Sequence, residues 1–116
     1  MKSFRELMVW QKSIDFVTEV YDITTVFPEE EKFGLTNQIR RASVSIPSNI
    51  AEGYGRKSDG DFSRFLSIAI GSNYEVQTQL EIAKNVGYLT IDDLNKAIDK
   101  LEEIDKMLKG LKAKLK

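Results

Sequence analysis

Apolar residues recur every three or four positions along most of the chain, in four runs divided by turn signals. This spacing predicts four helices. In the first run Leu7, Trp10, Ile14, Val17, Tyr21 and Thr24 form a heptad-like seam, predicting a helix from about Leu7 to Val26. Phe27-Pro28 ends it, because the residue before a proline is pushed out of the α region. The second run, Leu35, Ile39, Ala42, Ile46, Ile50 and Gly53, predicts a helix from about Phe33 to Tyr54. The third begins at Ser58, whose hydroxyl can cap the helix with Asp61 as its partner. Phe62, Leu66, Ala69, Asn73, Val76, Leu80 and Ala83 continue it, and Gly87 closes it as a C′ residue. At ~1.5 Å per residue this helix is roughly 40–45 Å long, the longest expected. The fourth starts at Thr90 with Asp93 and runs through Leu94, Ile98, Leu101, Leu108, Leu111 and Leu115. Lysines crowd its last turns, where they complement the helix dipole, and residues 112–116 are expected to fray.

No strand pattern competes, and the connections are short. The expected fold is all-α: an antiparallel up-down four-helix bundle, one domain over residues 1–116. Pro47 falls in the middle of the second helix and lacks the N–H that would bond the Ser43 carbonyl. A restarted helix would want a capping residue at position 46, which is Ile46. The apolar spacing also passes through without a phase jump. A continuous helix kinked at Pro47 is therefore expected. Small residues surround the proline: Ala42, Ser43, Ser45, Ser48, Ala51 and Gly53. Ser67, Ala69, Gly71 and Ser72 form a matching set on the third helix. They suit either close helix packing or a contact with another subunit or ligand.

Composition narrows the function classes. With 116 residues, 41% hydrophobic and 30% charged, the chain suits one soluble domain. No apolar run reaches the roughly 18 residues that span a bilayer, so no membrane association is expected. The opening MKSFRELMVWQK scatters charges among its apolar residues and predicts no leader. There is no cysteine and no histidine. The first absence fits the cytoplasm. The second removes the commonest general base and transition-metal ligand. Catalytic residues, cofactors and metal ligands are not expected. Glu75 and Glu81 offer oxygens to a divalent ion, but isolated helical carboxylates hold one poorly.

Charge is unevenly spread although the net is only −1. Residues 32–57 carry five basic side chains and one acidic, and all other segments together are acidic. Within and beside that segment, Arg40, Arg41, Arg56, Lys57 and Arg64 are candidates for nucleic-acid or other anion binding, since guanidinium forks match phosphate and carboxylate. The competing reading pairs the arginines with Glu52, Glu75 or Glu81, within or between subunits. Pro47, Ser43 and Gly53 are the candidates for the kink and the close packing. Gly53-Tyr54-Gly55 has part of a glycine-rich phosphate loop but neither its strand nor its lysine, so it reads as a helix end. Trp10, Phe62 and Phe65 lie on or beside apolar seams and read as core rather than as base-stacking platforms.

Three blocks, FRELMVWQKSIDF, QIRRASVSIPSNIAEGYGR and FLSIAIGSNYEVQTQLEIAKNVGYL, resemble the four-helix-bundle proteins related to those encoded in intervening sequences of 23S ribosomal RNA genes. The block from Gln38 to Arg56 is the most specific. The resemblance implies a small bundle assembling as a ring, typically a homopentamer. The chain is also similar to the accessory variability protein of diversity-generating retroelements, a basic bundle that binds nucleic acid and a reverse transcriptase. The expected function is a non-enzymatic, ring-forming bundle that binds RNA or DNA through its basic second helix. The alternative is a scaffold for a partner protein, binding no nucleic acid, whose arginines pair within or between subunits.

Overall fold

Local capping chemistry sets several of the helix ends in the computed structural model, which describes residues 3–116. Met1 and Lys2, the start of the stretch read above as lacking a leader core, lie outside the described residues. The order is a 3-10 turn at Phe4–Glu6, α1 at Met8–Thr24, a 3-10 turn at Glu29–Glu31, α2 at Leu35–Tyr54, α3 at Asp59–Asn85 and α4 at Ile91–Ala113. The described residues contain these four α-helices and no strand. No described helix is long and apolar enough to cross a membrane.

Two of the expected caps are present. Ser58 Oγ accepts from the Asp61 N–H at 3.1 Å, and Thr90 Oγ1 accepts from the Asp93 N–H at 3.1 Å. Each satisfies one of the amide donors that a helix start leaves free. At the end of α3, Gly87 adopts φ +90. Its N–H reaches the Lys84 carbonyl at 3.0 Å, and the Tyr88 N–H reaches the Ala83 carbonyl at 2.9 Å. This double closure needs a left-handed residue, which glycine supplies without strain. α1 ends at Thr24, four residues before the proline. The Thr24 and Thr25 hydroxyls donate to the Val20 and Tyr21 carbonyls, each at 2.8 Å, in the last turn. α2 starts two residues later than its apolar pattern suggests. Gly34 has no capping side chain, and Glu31 Oε1 takes the Leu35 N–H at 3.0 Å instead.

α2 runs unbroken through Pro47, which is buried. The Ser43 hydroxyl, one turn earlier, donates to the Arg40 carbonyl at 2.8 Å. Along α2 the buried set is Thr36, Ile39, Ala42, Ser43, Ile46, Pro47, Ile50 and Gly53, close to the expected face. α3 and α4 likewise bury the faces their periodicity marks.

α1 differs. Its core face is Val9, Ser13, Phe16, Val20 and Thr24, while Ile14 and Tyr21 remain 38% and 44% exposed. The helix carries two apolar stripes, roughly a quarter-turn apart at 100° per residue. Periodicity finds both stripes, and only packing against α2 and α4 decides which one enters the core.

One apolar cluster joins all four helices, centred on Phe16, Ile39, Ile46, Ile50, Leu66, Val76, Leu80 and Leu101. At its middle Asn73 is fully buried. Its amide donates to the Leu101 carbonyl at 2.8 Å, and its Oδ1 accepts from Gln77 at 2.6 Å. Both ends of the amide are thus satisfied, as a buried polar group requires. Cross-contacts fix which connections share an end. Phe27 packs on Tyr88 at 5.5 Å, joining the α1–α2 and α3–α4 connections. The Lys116 N–H donates to Asp59 Oδ2 at 3.2 Å, bringing the end of α4 to the α2–α3 turn. The long axis of the molecule is 44 Å.

Candidate nucleic-acid interface

The α2–α3 connection is only four residues, Gly55 to Ser58, and two of them are Arg56 and Lys57. Such a tight turn needs the two helices to meet closely, and Gly53 permits it. A Cβ there would stand 2.6 Å from Phe65 Cβ and 2.9 Å from Phe62 Cδ1. With no side chain at position 53, Phe65 packs against α2 and is buried.

The Phe65 ring then carries two cations. The guanidinium carbon of Arg56 lies 4.8 Å from its centroid and that of Arg64 4.6 Å. Stacking on an aromatic face stabilises each guanidinium by ~0.5–1 kcal/mol at an exposed site. It also holds two like charges within roughly 9 Å of each other, a repulsive arrangement unless an anion joins them. Glu52 offsets part of it, accepting from Arg56 Nη2 at 2.9 Å in an exposed i,i+4 pair. Lys57 is exposed beside them. Asp59, at the start of α3, holds the Lys116 backbone, which adds the lysine-rich end of α4 to the same end of the bundle.

Arg40 and Arg41 belong elsewhere. They lie more than ten residues back along α2, at least four turns from Arg56 at ~1.5 Å per residue. Arg40 is committed to α1. Its guanidinium stacks 4.5 Å from the Tyr21 centroid, Nε donates to Thr24 Oγ1 at 2.9 Å, and Nη2 reaches the Tyr21 carbonyl at 3.4 Å. Arg41 is exposed. With Asn37, Val44 and Ser45, the two arginines line a shallow depression of about 500 Å³. The five basic candidates therefore form two groups rather than one stripe.

The acidic candidates take different partners. Glu52 pairs with Arg56, Glu81 with Lys84 at 3.7 Å, and Glu75 accepts from Gln79 at 3.3 Å. Among the described residues there is no group of three potential metal ligands. The small residues around Pro47 form a polar seam between helices. Ser45 and Ser72 share a hydrogen bond of 2.8 Å, and the Asn49 amide donates to the Ser45 carbonyl and hydroxyl at 2.8 and 2.9 Å.

Sequence reasoning missed two features of this end. Phe65 belongs to the core, as its seam position predicts, yet it is also the platform for both guanidiniums. The lysines that close α4 suit its dipole, and folding also brings that end to the α2–α3 turn. The Lys109 ammonium is held above its ordinary pKa by hydrogen bonds to Tyr74 and to Asp105, the latter at 3.0 Å.

Comparison with known proteins agrees with this architecture. A solved structure from Bacteroides thetaiotaomicron, of unknown function and from the S23 ribosomal protein family, superposes with a TM-score of 0.83 at 27% identity. The match covers 90% of this chain and 98% of that one. No protein with a curated description matches the chain. The family model described as 23S rRNA-intervening sequence protein matches residues 5–110, nearly the whole bundle. The chain belongs to the 23S rRNA-intervening sequence protein family.

Proposed function

We propose that this protein is a non-enzymatic, cytoplasmic helical bundle that assembles with copies of itself and binds RNA at its α2–α3 end. One observation carries the RNA reading: Arg56 and Arg64 stack on the same Phe65 ring beside the exposed Lys57. Preset, closely spaced cations gain most from a polyanion, which relieves their repulsion and loses its own counterions on binding. The family's description, tied to a ribosomal RNA gene, agrees with RNA as the polyanion. The net charge of −1 does not oppose it, because Arg56, Lys57 and Arg64 share one end with the lysines that close α4.

Self-assembly has separate support. The second apolar stripe of α1 leaves Ile14 and Tyr21 exposed and Val17 half-buried, while Trp10 packs against the core. Val44 on α2 and Ile68 on α3 are exposed too. Side-by-side packing of these faces would bury them in the ring, typically of five subunits, that the family resemblance implies.

The RNA test is binding of single-stranded RNA to wild type, Arg56→Glu/Arg64→Glu and Arg41→Glu. The double reversal should weaken binding by at least about tenfold, or ~1.4 kcal/mol, and Arg41→Glu by less. Equal binding by all three proteins would refute RNA binding at this end. The second reading, a scaffold without nucleic acid, draws on the Arg56–Glu52 pair, which already occupies one guanidinium. Its mark is dissociation of the oligomer by Arg41→Glu or Arg56→Glu, seen by light scattering, with no RNA bound by wild type.

A further inference from the structure

Of the large hydrophobic side chains exposed among the described residues, four of the five most exposed lie in or beside the α1–α2 and α3–α4 connections. They are Phe33 at 87%, Val26 at 80%, Val86 at 56% and Ile91 at 53%. Single exposed apolar residues are ordinary, but a group on one end of a small bundle is not. The platform beneath them is fixed. Phe27 and Leu89 are buried in the core, Phe27 packs on Tyr88, and Tyr88 donates to Glu31. The apolar tips thus stand on two connections tied to each other, and little order need be gained when they are covered.

The surroundings are acidic. Asp22, Glu29, Glu30, Asp92 and Asp93 are all exposed, and Lys32 is the only cation in the two connections. Asp92 and Asp93 complement the α4 dipole. Glu29 and Glu30 have no ion-pair partner among the described residues. This end is therefore both apolar and negative, the opposite of the α2–α3 end.

We infer that this end docks a cationic amphipathic segment of a partner protein, its apolar residues meeting Phe33 and Val26 and its lysines or arginines meeting Glu29 and Glu30. Charge complementarity selects this occupant. An anionic lipid surface or nucleic acid would be repelled. A second copy could offer its lysine-rich α4 end, but Leu111 and Leu115 there already pack against their own core. That end also exposes Met8, at 62%, beside Leu111 and Lys114, and self-association through it is the outcome that the sedimentation measurement separates. The molecule then carries a protein-binding end and an RNA-binding end, and the first does not depend on the second.

The test uses two labelled synthetic peptides, an amphipathic Leu/Lys helix and a Ser/Lys peptide of equal charge, with binding read by fluorescence anisotropy. The proteins are wild type, Val26→Ser/Phe33→Ser and Glu29→Lys/Glu30→Lys. All four positions are exposed, and circular dichroism checks that each variant is folded. Wild type should bind the Leu/Lys peptide at least tenfold more tightly than the Ser/Lys peptide. Each double variant should lose at least tenfold, and Val26→Ser/Phe33→Ser should keep wild-type affinity for RNA. Equal binding of both peptides, binding of neither, or variants that bind like wild type would each overturn the inference. So would sedimentation showing that wild type alone self-associates through this end and that Val26→Ser/Phe33→Ser does not.

Discussion

The Tyr88 hydroxyl donates to Glu31 Oε2 across 3.0 Å, joining two helix connections that lie 57 residues apart in sequence. The other carboxylate oxygen of Glu31 accepts the Leu35 N–H and so caps α2. One side chain therefore sets both the start of a helix and the docking of the neighbouring turn. Glu31→Ala should cost roughly 1 kcal/mol, the usual value of a lost cap. Urea unfolding measures it.

The same contact predicts an alkaline signature. The hydrogen bond to Glu31, then burial and the Glu31 and Glu30 charges, raise the Tyr88 pKa above 10.0. The folded state thus holds the phenol proton more tightly than the unfolded chain does. The resulting stabilisation is fully present below about pH 10 and is lost as pH rises through the raised pKa. Tyr88→Phe should lack this component. The difference between the two proteins' urea midpoints should be constant up to about pH 10 and shrink above it.

Two glycines should respond in opposite directions. Gly53→Ala puts a methyl group 2.6 Å from Phe65 Cβ and should destabilise by roughly 1–3 kcal/mol. It should also disturb the guanidinium platform and weaken RNA binding. At Gly71, exposed within α3, nothing lies within 4 Å of an added Cβ. Gly71→Ala should stabilise by up to ~1 kcal/mol through helix propensity. Chemical denaturation of both variants checks the pair.

Arg40 and Arg41 should separate structure from binding. Arg40→Ala removes a stacked cation and its bond to Thr24, and should cost about 1–2 kcal/mol of stability. Arg41→Ala should leave stability within about 0.5 kcal/mol. Thermal melts of the two proteins test this division between adjacent arginines.

Much of the fold was legible in the sequence because local rules agreed with the tertiary outcome. Ser58, Gly87 and Thr90 do what their residue types favour, and the apolar spacing of α2, α3 and α4 marks their buried faces. The α1 seam was not legible. Its two stripes have similar periodicity, and the choice between them rests on partners distant in sequence. Glu31 as a cap was also hidden, since it acts from four residues before the amide it accepts. At the candidate site, the charge tally marks residues 32–57 as the basic segment. It could not show that Arg40 turns toward Tyr21, nor that Arg56 meets Arg64 across Phe65. The first follows from the packing of α1 on α2, and the second from the turn that Gly53 permits.

The central claim is that cations at the α2–α3 end bind RNA by neutralising phosphates. Its most direct test is the slope of log affinity for single-stranded RNA against log salt concentration, for wild type and for Arg56→Ala/Arg64→Ala. Wild type should weaken steeply with salt. The double variant should bind less tightly and have a slope shallower by about 1.4, or ~0.7 for each phosphate contact removed. Identical slopes and affinities for the two proteins would contradict the account.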